Sequence, residues 1–94
     1  MTHHSAPIRI FLVDDHPMIR HGLAAMLKAE PGMQWVGDAP DGTDAVRLAP
    51  ALAPDVVVTD LAMPGGGHGI ELVAQVRAMR PNCRVLVFSM YDSH

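Results

Sequence analysis

Four short apolar stretches punctuate the chain, and between them the apolar residues recur at helical rather than alternating spacing. Ile8–Val13, Asp55–Thr59 and Arg84–Ser89 are rich in Val, Ile and Leu without strict alternation. Strands of a parallel sheet read this way when helices cover both of its faces. Met33–Gly37, with Trp35, is a second, shorter strand. Between the strands, Ile19, Leu23, Met26 and Leu27 form one stripe of a helix over Met18–Ala29, with Pro17 in its first turn and Glu30-Pro31-Gly32 as its stop. Asp41-Gly42-Thr43-Asp44 opens a second helix, with Ala45, Val46, Leu48, Ala49 and Leu52 as its apolar members and Pro54 as its close. A third spans Ile70–Met79, turning Leu72, Val73, Val76 and Met79 to the sheet before Pro81-Asn82 leads into the last strand. The order β-α-β-α-β-α-β, with right-handed crossovers, predicts an α/β domain built on an open parallel sheet with helices on both sides. Strand three, the most apolar, belongs at its centre. No repeat or linker divides the chain, so residues 1–7 are expected to be a flexible start and 8–94 one domain.

Composition narrows the function classes. With 94 residues, 49% hydrophobic and 18% charged, the chain suits one small globular domain. A net charge of −3 argues against this chain itself gripping a nucleic-acid backbone. No run is long enough for a membrane span, and the start MTHHSAPIRI lacks a secretory core, so a cytoplasmic protein is expected. The lone Cys83 allows no intrachain disulfide and reads as a small packing residue. Among the six histidines, His16 and His21 are five apart, without metal-motif spacing, and are expected to be solvated or locally bonded. Trp35 reads as packing, since no basic patch surrounds it.

The informative polar residues stand just past the strands: Asp14-Asp15, Asp60 and Ser89. Strand carboxyl ends are where open α/β sheets bind ligands. Singly, Asp14 or Asp15 could be a helix N-cap and Asp60 a turn residue. Gathered at one sheet edge, three acids would repel one another without a cation between them. A hard dication such as Mg²⁺, and with it phosphate chemistry, is the natural expectation.

In that order and setting, the acidic pair, the run Asp60-Leu61-Ala62-Met63-Pro64 and Ser89 resemble the receiver domain of bacterial two-component response regulators, over Ile8 to Asp92. Val13-Asp14-Asp15-His16-Pro17 with Arg20 and Gly22-Leu23 is similar to the NarL/FixJ (LuxR-type) branch. The resemblance implies a flavodoxin-like sheet of order 2-1-3-4, followed in complete members by a fifth strand. It implies Asp60 as the phosphoryl acceptor from a sensor histidine kinase. Mg²⁺ would be held by Asp15, Asp60 and the Ala62 carbonyl, with Asp14 acting chiefly through water, and Ser89 would bond a phosphoryl oxygen. Two departures accompany it. Gly65-Gly66-Gly67-His68-Gly69 looks one residue longer than the usual loop, and His94 comes before the family's fourth helix, fifth strand and fifth helix. The phosphoryl-contacting lysine, the switch aromatic and the helix-turn-helix domain through which such proteins meet DNA lie in or beyond that missing part. A degenerate receiver serving only as an interaction surface is the alternative. An aspartyl-phosphate phosphatase of the haloacid dehalogenase type needs a second aspartate where Ala62 stands, and flavin binding would set a phosphate against three acids. A fourth strand not written as an edge, Val85 to Phe88, adds an expectation of homo-dimerisation or other self-association.

Overall fold

A computed structural model of the chain describes residues 6–60 and 69–88, except for the side chains at 60, 69–73 and 88. Its elements are β1 (Ile8–Val13), α1 (Pro17–Lys28), β2 (Met33–Ala39), α2 (Gly42–Leu52), β3 (Val56–Asp60), α3 (Gly69–Met79) and β4 (Arg84–Phe88). The strands form one parallel sheet in the order β2-β1-β3-β4. Fold class and strand order are those expected from the sequence. The N-terminal residues 1–5, the glycine loop up to His68, and Ser89 lie outside the described residues.

Alternation along the central strands assigns the two faces. Phe11, Val13 and Val57 point to one side, where Ala45 and Ala49 of α2, Val76 of α3 and Cys83 complete a buried cluster. Ile10 and Leu12 point to the other, packed with Ala24 of α1 and flanked by Leu23, Leu27, Trp35, Val56 and Val58. Helices therefore cover both faces, α1 on one and α2 with α3 on the other. No helix among the described residues is long and apolar enough to cross a membrane.

The methionines depart from expectation. Met26 is 66% exposed and Met79 46%, and Leu48 is also exposed. At about 100° per residue, the buried face of α1 is drawn toward Ala24, which leaves Met26 on the flank of the stripe. β2 runs on to Ala39, beyond the Gly37 expected to end it. The register skips a residue between Ile10 and Phe11, pairing Ile10 with Trp35 and Phe11 with Gly37. Gly37 suits the close packing there, because a Cβ would stand 2.8 Å from Leu52 Cδ1 and 3.2 Å from the Phe11 ring and both side chains would have to give way. β3 starts at Val56 and takes in Asp60, and α3 starts one residue early at Gly69.

Arg9 has a role that hydropathy alone hides. Its Nη2 donates to the Leu52 carbonyl at 2.6 Å and its Nε to the Ala53 carbonyl at 3.3 Å, a cation on the two carbonyls that end α2. The Arg9 backbone N–H meets Asp55 Oδ2 at 2.9 Å. Ala53 caps α2 in the left-handed region at φ 50°, where a Cβ crowds the following carbonyl. Ala53→Gly is therefore expected to raise stability by about 1 kcal/mol, read as a higher urea midpoint. Cys83 is buried as expected, and burial raises its thiol pKa, with Arg80 opposing. A raised native pKa favours the folded state below the unfolded thiol's pKa. That contribution is lost as pH rises through the native value, so Cys83→Ala should lose less stability than the parent in urea melts run on alkaline titration.

Candidate functional site

The carboxyl ends of β1, β2 and β3 meet at one rim of the sheet. Val13 pairs with Ala39 on one side and with Thr59 on the other. Asp14 and Asp60 thus occupy the next register positions on neighbouring strands, Asp60 as the last residue of β3. The Asp14 N–H still bonds the Ala39 carbonyl at 3.1 Å, which carries strand geometry one residue past β1 and sinks the side chain to 1% exposure.

Asp14 then turns the chain. Its Oδ1 accepts the His16 backbone N–H at 2.8 Å, an Asx-type turn that delivers Pro17 to the first position of α1. The helix cap residue is His16, which makes no side-chain cap, so neither aspartate acts as the N-cap. The imidazole folds back onto the acids, with Nδ1 2.8 Å from Asp14 Oδ1 and 2.9 Å from Asp15 Oδ1. His16 is locally bonded, as expected; that it is bonded to the acidic pair was not. The signal available was its position two residues after Asp14, within reach of an Asx turn.

Arg20, one turn into α1, holds this loop from behind. Its Nη1 donates to the Asp14 carbonyl at 2.6 Å, and its Nε lies 3.6 Å from Asp38 Oδ1. The guanidinium fork joins α1, the end of β1 and β2, fixing where the acidic pair can stand.

Among the described residues, two buried carboxylate oxygens at this rim accept no hydrogen bond, Asp14 Oδ2 and Asp15 Oδ1. A buried carboxylate oxygen left in that state is costly, and the residue types call for a cation. Asp14, Asp15 and His16 each offer a ligand atom, all within 4.8 Å of one another. Of the residues expected at the site, Asp14 and Asp15 are brought together at the rim. Asp60 is placed by its backbone only, while Ala62 and Ser89 lie outside the described residues.

Residues 10–94 match the family described as the response regulator receiver domain. The chain is 43% identical over 84 residues to the transcriptional regulatory protein LiaR of Bacillus subtilis, covering 89% of this chain and 39% of that protein. Against the nitrate/nitrite response regulator protein NarL of Escherichia coli K12 it is 38% identical over 84 residues, covering 89% and 38%. The solved signal receiver domain of the putative response regulator NarL from Mycobacterium tuberculosis superposes with a TM-score of 0.83 at 36% identity, covering 95% of this chain and 71% of that one. The chain spans about two fifths of the length of these curated relatives.

Proposed function

Because this chain belongs to the response regulator receiver domain family, we propose that it is a phosphoacceptor switch in which Asp60 takes a phosphoryl group from the phosphohistidine of a sensor kinase. A carboxylate oxygen of Asp60 attacks phosphorus, the P–O bond forms as the P–N bond breaks, and the kinase histidine leaves with the electron pair. Such a transfer asks the protein mainly for in-line positioning and charge neutralisation, for which a carboxylate is nucleophile enough. Asp15, Asp60 and the Ala62 carbonyl would hold Mg²⁺, with Asp14 chiefly through water. When bound, that ion supplies neutralising charge to the phosphoryl oxygens. Ser89 would donate its hydroxyl to a phosphoryl oxygen, drawing its loop inward and biasing a two-state surface. Such a switch would govern a DNA-binding output domain, a reading supported by a relative from Mycobacterium tuberculosis, 40% identical over 86 residues, whose name is DNA-binding transcriptional activator DevR/DosR.

The observation that carries the reading is the pair of buried carboxylate oxygens, Asp14 Oδ2 and Asp15 Oδ1, that accept no hydrogen bond among the described residues, with Asp14 at the register position beside Asp60. Beryllofluoride titrated with Mg²⁺ is the test: saturable, Mg²⁺-dependent binding is expected. Its absence would favour a receiver that works only as an interaction surface. Asp15→Ala should weaken Mg²⁺ binding by an order of magnitude or more while raising the stability of the metal-free protein, since one of two crowded like charges is gone. Unchanged Mg²⁺ affinity by calorimetry would remove Asp15 from the ligand set.

A further inference from the structure

His16 stands at the rim, and phosphoryl transfer leaves it without a task. Its Nδ1 sits within 3 Å of two carboxylates, at 2.8 Å from Asp14 Oδ1 and 2.9 Å from Asp15 Oδ1. A single ring nitrogen carries at most one proton, so it can serve one of them, and the hydrogen bond goes to Asp14. Among the described residues Asp15 Oδ1 is left without one, as is Asp14 Oδ2 on a side chain only 1% exposed. An imidazole nitrogen and two carboxylates with ligand atoms inside 4.8 Å approach the span of one ion bound at about 2.0–2.2 Å per ligand.

We propose that His16 Nδ1 is a metal ligand, and that it makes this rim select first-row transition dications such as Co²⁺, Ni²⁺ or Zn²⁺ over Mg²⁺. Mg²⁺ is a hard ion that takes oxygen ligands, whereas an imidazole nitrogen is a borderline donor that favours the later transition metals. In the metal-bound form the ring keeps its proton on Nε2 and gives the Nδ1 lone pair to the ion. The backbone does the remaining work, because the Asp14 turn that positions His16 is made through its main-chain N–H and survives any side-chain change. The inference deepens the reading above and rests on it for the acidic pair as a cation site.

The test is calorimetric titration of the full 94-residue chain with Co²⁺ and with Mg²⁺, alongside electron spin echo measurement of bound Mn²⁺ for nitrogen coupling. Other imidazoles in the chain can bind these metals, so only the component lost in Asp15→Ala is assigned to the rim. For that component, His16→Ala is expected to lower Co²⁺ affinity about tenfold or more and to erase the nitrogen coupling, with Mg²⁺ affinity changed by less than about twofold. Should His16→Ala fail to fold by circular dichroism, His16→Gln, which also lacks the imidazole, is read instead. Equal Co²⁺ affinity with and without the imidazole, or a parent protein that binds Mg²⁺ at the rim as tightly as Co²⁺, overturns the inference and leaves the Mg²⁺ reading standing. Mg²⁺ affinity that ignores Asp15→Ala overturns the inference and removes Asp15 from the ligand set of the reading it rests on.

Discussion

Asp60→Asn is expected to abolish phosphorylation while leaving the fold and its melting temperature within a few degrees of the parent. The substitution keeps shape and removes the anionic oxygen that would form the P–O bond, and Asp14 and Asp15, read as metal ligands, are not expected to take its place. Asp60 closes β3 rather than standing free in the following loop, so its backbone is held by the pairing of β3 with β4, opposite Phe88. Those ladder bonds are made by main-chain groups and are indifferent to the side chain. The loss of one negative charge beside Asp14 and Asp15 relieves repulsion, which argues further against unfolding. Incubation with a small phosphodonor and Mg²⁺, followed by intact-mass measurement, should show a phosphoryl adduct on the parent and none on the variant. An Asp60→Asn protein that gained phosphate at the parent rate would move the acceptor elsewhere.

How much of this could be read from the chain depended on which physical signal each feature leaves. Strands one and three were legible because their β-branched runs have no competing helical period, and their ends at Val13 and near Thr59 fixed where Asp14 and Asp60 would stand. β2 was harder. Its extension past Gly37 depends on a register skip that no local pattern announces, since the glycine sits in close packing against Phe11 and Leu52 rather than in a turn. The stripe on α1 was read correctly in Leu23 and Leu27 but too broadly in Met26, because periodicity gives a face and not its centre. Polar contacts were the least visible. Arg9 on the end of α2, Arg20 on the Asp14 carbonyl and His16 on the acids all join groups by side chains whose reach depends on the turn that presents them. The acids themselves stand out by their place just past the strand ends together with their charge, since like charges at one rim have few purely structural uses.

The two edges of the sheet lead to the second large expectation: the 94-residue chain should self-associate in solution through β4. At the β2 edge, the register skip and the half-buried Asp38 interrupt any regular row of pairing groups, which are recognised ways of blunting an edge. β4 has neither. Within the described residues it pairs only with β3, and Val85, Leu86, Val87 and Phe88 follow one another with no lysine, proline or bulge among them. Leu86 is 59% exposed and Val87 46%, so both faces of this edge present apolar surface beside unpaired backbone groups. Central strands look like this; edges that remain single do not. A second copy adding its own β4 would satisfy the free N–H and C=O groups and cover both side chains. Sedimentation or light scattering across a concentration series should therefore show mass rising above that of a monomer. Leu86→Lys should shift that equilibrium toward monomer, because an ammonium group on the pairing face must be desolvated for a partner strand to close over it. A parent chain that stays a sharp monomer at high concentration and unfolds cooperatively on heating would mean that residues outside those described here already cover the edge.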